Sequence, residues 1–300
     1  MSVAGRSGVV IRALRPHHWV KNLLVFVPAV LAHEILVPEV AGRSILAFIA
    51  FSLVASAGYL LNDLKDLEAD RVHAVKRMRP LAAGELTING AVYGAVALAI
   101  MGFALSAWLS PAFLAGLMAY AALTAAYSMG LKTWPLVDIF LLAGMYMLRV
   151  YGGGWATEIP ISHWLASFSL FLFLSLGSVK RVAELQRLQP TAGTLRRRGY
   201  RSSDLPLLTG LGLGTGCVSV LIMVLYASSD QVKVLYGQPA GLWLTAVPIL
   251  FWISWIWLAT LRDDMDDDPI VFALRDPVSY LTVLLVALTL LLSGPLAMGL

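Results

Sequence analysis

Residues 45–70 read ILAFIAFSLVASAGYLLNDLKDLEAD, an uncharged run from Ile45 to Leu61 that passes directly into Asn62, Asp63, Asp66 and Asp70. Such a run carries a helix most of the way across a bilayer's hydrocarbon core, which takes about 20 residues. Asp63, Asp66 and Asp70 follow at spacings of three and four, so on a continued helix they share one face with Asn62. Three carboxylates stacked on one face repel each other, and they begin where the chain is still leaving an apolar span, where ionised groups are costly. A hard cation bound through carboxylate oxygen offsets both penalties. Mg2+ takes one or two carboxylates together with waters and substrate phosphates, so Asn62, Asp63 and Asp66 are the candidate metal ligands of a Mg2+–diphosphate site. The competing reading is a solvated acidic face at a helix end.

The apolar half of this pattern recurs along the chain. Hydrophobic residues make up 59% of the 300 residues and charged residues 13%, whereas a water-soluble domain carries about 25% charged residues. Apolar runs predict spans over 20–32, 45–61, 91–109, 112–129, 137–151, 164–179, 207–227, 242–261 and 280–300. The expected fold class is therefore all-α, a polytopic membrane protein of about nine transmembrane helices. With no linker or short-period repeat, 1–300 reads as a single domain. The runs at 20–32 and 137–151 are short and carry polar groups, which predicts that they border an aqueous cavity. The lone Cys217 excludes an internal disulfide and a cysteine metal cluster. Arg6, Arg12 and Arg15 precede an apolar stretch with no convincing small-residue cleavage site, so an uncleaved first span is expected rather than a signal peptide.

The loops alternate in charge. One set holds Arg6, Arg12, Arg15 and Lys21, then Lys65, Arg71, Lys76, Arg77 and Arg79, then Lys132, then Lys180, Arg181, Arg187, Arg196, Arg197, Arg198 and Arg201, then Arg262 and Arg275; the other holds Arg43 and Lys233. Basic loops stay in the cytoplasm, which places the N-terminus inside and the C-terminus outside. The net charge of +4 reflects this loop bias and does not argue for nucleic acid. Directly after the acidic run come His73, Lys76, Arg77, Arg79 and Pro80. Acids beside bases suit a metal-bridged polyphosphate, with Lys76 and Arg79 on its oxygens; anchoring at the membrane face is the competing reading for these bases.

The motif Asn62-Asp63-x-x-Asp66-x-x-x-Asp70 on a membrane helix, followed by Arg79-Pro80 and Ala83-Gly84, resembles the first signature of the UbiA superfamily of intramembrane prenyltransferases. The resemblance covers essentially the whole chain. It implies nine helices around a central cavity opening to the cytoplasm, with the motif binding Mg2+ and the donor's diphosphate. The best-known members carry a second aspartate-rich motif at the end of the sixth span. Here that place reads Lys180-Arg181-Val182-Ala183-Glu184-Leu185, two bases and one acid.

That substitution is similar to the decaprenyl-phosphate phosphoribosyltransferase branch of the superfamily. The likeness extends to Arg15-Pro16-His17-His18-Trp19-Val20-Lys21-Asn22, Tyr127-Ser128-x-x-Leu131-Lys132, Asp138 and Arg149 in the fifth span, Asp268-Pro269 and Asp276. Ala74 and Pro277 depart from the pattern, where proline and a basic residue are usual. The branch implies transfer of phosphoribose from phosphoribosyl diphosphate to a polyprenyl phosphate lipid, at the cytoplasmic face of a bacterial inner membrane. Asp63, Asp66, Asp70 and Glu184 are then the expected catalytic acids, with Asp70 or Glu184 orienting the ribose hydroxyls. Lys76, Arg79, Lys180 and Arg181 hold donor phosphates, and Lys21 or Lys132 the lipid phosphate. Asn62, Tyr127, Asp138 and Arg149 complete the expected substrate-binding set, and a homo-oligomer is in keeping with the family.

Asp138 and Arg149 are eleven residues apart, which puts them on one helix face but about 16 Å apart along its axis, too far to pair with each other. For both, structural ion pairing competes with substrate binding. Trp19, Trp252, Trp255 and Trp257 read as interfacial belts or lipid-facing packing, Arg196–Arg201 as a headgroup anchor, and the acids of Asp263–Asp268 as a solvated loop, with binding of a second cation as the competing reading. Two other functions compete: prenyl transfer from a polyprenyl diphosphate to an aromatic or other small acceptor, against which the missing second aspartate motif argues, and a lipid transporter without chemistry, against which the clustered acids argue.

Overall fold

A computed structural model describes residues 3–187, 199–229, 232, 239–265 and 268–293. Among these residues the regular secondary structure is entirely helical. The chain forms two compact units: Met1–Leu131 with Leu148–Ile161, and Lys132–Met147 with Ser162–Leu300.

The first unit opens with α1 (Val3–Leu14), then a 3₁₀ helix over Pro16–Phe26 and the short α2 (Val27–Leu31). It continues with α3 (Pro38–Lys65), α4 (Leu67–Val72), α5 (Ile88–Leu109) and α6 (Pro111–Met129). Helix α7 (Val137–Thr157) contributes its C-terminal part to this unit and its N-terminal part to the other. The starts follow local chemistry. Pro38 and Pro111 occupy first turns, where the missing N–H costs nothing. Thr87 accepts from Gly90 N at 3.1 Å and Ser110 from Phe113 N at 3.0 Å, capping α5 and α6.

At 28 residues, α3 is about 42 Å long. It therefore outlasts a hydrocarbon core of about 30 Å and has a polar end to spare. The single acidic face expected from the spacing is interrupted there. Helix α3 stops at Lys65, Asp66 caps it with φ −95° and ψ 9°, and α4 begins at Leu67.

The expected first span, 20–32, is not one regular helix. A 3₁₀ run of 11 residues is far longer than the three or four usual for this tighter geometry. Close packing against α7 adds to its own hydrogen bonds. A Cβ on Gly153 of α7 would stand 2.0 Å from Val25 O, so only glycine lets α7 approach this backbone. Gly153→Ala is expected to destabilise the folded protein by about 2–3 kcal/mol, the cost of overpacking against backbone that cannot yield. The thermal unfolding midpoint in detergent checks this; an unchanged midpoint would mean the 3₁₀ run is not packed so closely.

The second unit holds the start of α7, then α8 (His163–Arg187), α9 (Leu205–Ala227), α10 (Pro239–Leu261), α11 (Pro269–Ala273) and α12 (Pro277–Ser293). Gly212 and Gly216 bring α9 against Trp257, Ser175 and Ile253. Trp257 corrects the expectation of an interfacial belt: it is 2% exposed and donates Nε1–H to Ser175 Oγ at 3.1 Å. Trp255 donates to Asp276 and Trp252 to Ser279.

Six described helices are long and apolar enough to cross a membrane: Pro38–Lys65, Ile88–Leu109, Pro111–Met129, His163–Arg187, Ser202–Ala227 and Gly241–Leu261. Pro277–Leu291 is apolar but shorter. Arg196–Arg198, Lys233, Asp266, Asp267 and the end of the last expected span, 294–300, lie outside the described residues.

Candidate active site

In the first unit an ion-pair cluster forms where α3 ends. Asp63 and Asp70 are buried, at 4% and 2% exposure. Arg79 joins them through one nitrogen, Nη1, which lies 3.1 Å from Asp63 Oδ1 and also bonds Asp70 Oδ2. Lys76 Nζ stands 4.0 Å from Asp70. Arg79 reaches back because Pro80 follows it. A residue before proline is driven to extended backbone, and Arg79 has φ −64° and ψ 142°. His73 sets the turn before it by accepting at Nδ1 from Val75 N and Lys76 N at 3.2 and 3.3 Å.

Arg15, part of a quoted motif but not of the expected site set, is the other base on Asp63. Its guanidinium also lies 5.3 Å from the centre of the Tyr59 ring, within cation–π range. Its backbone is left-handed, with φ 53°, uncommon for a residue with a side chain. The signal was the Arg15-Pro16 pair: proline disfavours the right-handed helical conformation in the residue before it.

Asp66 stands apart from this cluster. It is partly exposed, and among the described residues no side-chain hydrogen bond or ion pair holds its carboxylate. No three His, Cys, Asp or Glu side chains among the described residues are grouped closely enough to hold a metal ion. Asn62, Asp63 and Asp66 carry side-chain oxygens, the donor type Mg2+ accepts when substrate phosphates and water complete its shell. The donor chemistry fits an open site rather than a closed protein cage.

Arg149 lies deeper in the same unit. It donates Nε–H to Asn22 Oδ1 and Nη2–H to Tyr120 Oη, both at 2.9 Å, and lies 4.6 Å from the Tyr120 ring centre. Asn22 donates in turn to Ser52 Oγ at 3.0 Å. The arginine therefore ties α7 to the 3₁₀ helix, next to Lys21, and to α6. Lys21, Tyr127 and Lys132 are partly buried, and Lys65 Nζ bonds Ser128 O at 2.8 Å beside Tyr127.

The second unit has its own network. Asp138 and Arg181 are fully buried, at 0% and 1% exposure, and form an ion pair. Arg181 also pairs with Glu184, one turn further along α8, whose side chain is 27% exposed. Ion pairing is thus the role this geometry gives Asp138, and Arg181 is committed to two carboxylates. Lys180 lies 3.2 Å from Asp268, which also caps α11 by accepting from Ile270 N at 3.1 Å. The acidic loop is not wholly solvated: Asp268 is 6% exposed, and Asp263 pairs with Arg187 at 3.4 Å.

Tyr200, missed from the sequence, completes the network. It is 3% exposed and donates Oη–H to Asp138 Oδ1 at 2.6 Å, while accepting from Leu136 N at 2.7 Å. Burial first, and then the bond to the Asp138 carboxylate, push its pKa well above the usual phenol value. It thus stays protonated as a donor.

The comparisons with known proteins bear on this arrangement. The model of the UbiA prenyltransferase family matches residues 23–275. The chain belongs to the UbiA prenyltransferase family. Family membership and the six apolar helices together make it an integral membrane protein. Among its relatives is decaprenyl-phosphate phosphoribosyltransferase of Mycobacterium tuberculosis, 34% identical over 92% of this chain and 90% of the relative. Nodulation protein NoeC of Azorhizobium caulinodans is 32% identical over 93% of this chain and 91% of its own. An uncharacterized protein of Sinorhizobium fredii, y4nM, is 37% identical over 91% of this chain, which spans 54% of that protein's length. The fold matches a UbiA homolog from Archaeoglobus fulgidus bound to GPP and Mg2+, with a TM-score of 0.68, 17% identity and coverage of 94% of this chain and 98% of that one.

Proposed function

We propose that this UbiA-family protein transfers the 5-phosphoribosyl group of phosphoribosyl diphosphate to a polyprenyl phosphate, with Mg2+, at the cytoplasmic face of a bacterial inner membrane. The observation that carries the reading is the acid–base cluster at the end of α3; in the sequence, the stretch at the end of α8 is basic rather than rich in aspartate. Asp63, Asp70, Arg79 and Lys76 lie together in the first unit, and Lys180 and Arg181 replace a second aspartate motif. Two anionic substrates favour such a surplus of cations. The similarity to decaprenyl-phosphate phosphoribosyltransferases over nearly the whole chain supports the same donor and acceptor classes.

Asp63 and Asp66, with Asn62, would hold Mg2+, which when bound would supply neutralisation of the diphosphate charge. Lys76 and Arg79 bind the remaining phosphate charge. Arg15 and Arg79 pair with the Asp63 carboxylate and orient it. The lipid phosphate, drawn by Lys21 or Lys132, attacks the ribose C1. One C1–O bond forms, the bond to diphosphate breaks, and the diphosphate leaves with the electron pair. A phosphate nucleophile is already ionised at neutral pH, so no strong general base is required. Lys180 and Glu184 are the partly exposed members of the second network, which suits phosphate binding for Lys180 and orientation of ribose hydroxyls for Glu184. The rate advantage is positioning and electrostatic stabilisation.

The basic loops support a cytoplasmic N-terminus and an external C-terminus. A second reading, prenyl transfer from a polyprenyl diphosphate, draws on the likeness of fold to UbiA homologs whose structures hold GPP or DMAPP with Mg2+. Mass spectrometry of the lipid after incubation with phosphoribosyl diphosphate and Mg2+ separates the two. The expected result is a polyprenyl phosphate heavier by one phosphoribosyl group and absent under EDTA. An unmodified lipid, together with prenylation of an aromatic acceptor, would overturn the first reading in favour of the second.

A further inference from the structure

We infer that Tyr200 is a positioning residue which, through Asp138 and Arg181, fixes Glu184 in the orientation that transfer requires; this rests on the function proposed above. The network is a continuous chain of contacts inside the second unit. The Tyr200 hydroxyl bonds Asp138, Asp138 pairs with Arg181, and Arg181 pairs with Glu184. Exposure increases toward one end: Tyr200, Asp138 and Arg181 are buried, while the Glu184 side chain is 27% exposed.

The backbone on both sides of the phenol is specialised to hold it. Gly199, immediately before Tyr200, has φ +74°, and a Cβ there would lie 2.4 Å from Thr133 O and 2.9 Å from Pro135 Cδ. The segment carrying Tyr200 is thus seated closely on the turn that leads into α7. Within that turn Leu136, which donates its N–H to the phenol, is itself left-handed at φ 67°. A leucine in this region is strained, and such strain persists where the surroundings over-determine it. Both departures from ordinary backbone serve one hydroxyl group.

That hydroxyl decides how Asp138 is shared. One carboxylate oxygen answers to Tyr200 and the other to Arg181. With phenylalanine in its place, Asp138 Oδ1 loses its donor and Leu136 N–H its acceptor. The carboxylate is then free to turn wholly to Arg181, and the guanidinium's hold on Glu184 changes. The substitution leaves the ring and its packing in place.

The test measures kcat and KM for phosphoribosyl transfer by the wild-type protein, Tyr200→Phe, Glu184→Gln and the double variant, in detergent well below each unfolding midpoint. Tyr200→Phe is expected to lower kcat about 10-fold with donor KM within about 2-fold, the pattern of a group that acts on the transition state rather than on uniform binding. The double variant is expected to be no slower than Glu184→Gln alone, because residues acting through one another are not additive. Wild-type transfer with Tyr200→Phe at full kcat overturns the inference, as do losses that multiply in the double variant. If Tyr200→Phe does not fold, Asp138→Asn tests the same chain by the same cycle with Glu184→Gln. A wild-type protein that transfers no phosphoribose overturns the proposed function, and this role with it.

Discussion

Asp66→Asn is expected to cut transfer by about 100- to 1000-fold, the usual cost of removing one preorganised electrostatic group from a polar active site, while leaving the fold untouched. The structure separates the two effects. Asp66 sits at the break between α3 and α4, partly exposed, and among the described residues its carboxylate has no ion pair to lose. Its neutralisation should therefore move stability by no more than about 0.5 kcal/mol. Asp63 is the contrast. It is 4% exposed and held by Arg15 and Arg79, so Asp63→Asn should lower both activity and the unfolding midpoint. Full activity in Asp66→Asn would remove it from the metal site. Equal loss of stability in the two variants would mean that Asp66 is a structural acid like its neighbour.

Arg181→Ala is expected to destabilise the protein by about 3–5 kcal/mol, because it leaves a buried carboxylate without its counter-charge. Asp138 is 0% exposed, and after the substitution the Tyr200 hydroxyl would be its remaining side-chain donor among the described residues. Replacing both partners by apolar residues, as in Asp138→Leu with Arg181→Met, should recover much of that loss, since the desolvation penalty disappears with the pair. Activity should not return, because Glu184 then lacks the Arg181 guanidinium that pairs with it. Thermal unfolding in detergent gives the first comparison and transfer rate the second. An Arg181→Ala protein as stable as wild type would show that the ion pair does not hold α8 to α7.

The helices α3 and α5 to α10 were legible because their signals are local, whereas the break at Asp66 that sets α4 apart was not. Uncharged runs mark the spans, while the caps at Ser110 and Thr87 are visible only in the structure. The 3₁₀ helix over Pro16–Phe26 was not legible. Its apolar content predicts a span, but its geometry depends on Gly153, more than a hundred residues away in sequence.

The site divides along the same line. Asp63, Asp70, Lys76 and Arg79 could be grouped from sequence because they lie within two turns and one loop. Arg15, Asp138, Arg181 and Tyr200 find their partners across long stretches of chain. Charge and hydropathy register that each is unusual, yet do not say which other residue answers it. Tyr200 was hidden further by the arginines before it, which draw the reading toward membrane anchoring. Trp257 was misplaced for a related reason: an indole reads as interfacial unless the sequence reveals a buried acceptor such as Ser175.

The central claim is that the donor is phosphoribosyl diphosphate and the acceptor a polyprenyl phosphate. The direct test incubates purified protein in detergent with Mg2+, a polyprenyl phosphate and ribose-labelled phosphoribosyl diphosphate, then counts label in the organic phase. Lipid-linked label that disappears with EDTA and with Asp66→Asn is the predicted result. An organic phase without label, from folded protein offered several lipid lengths, would contradict it.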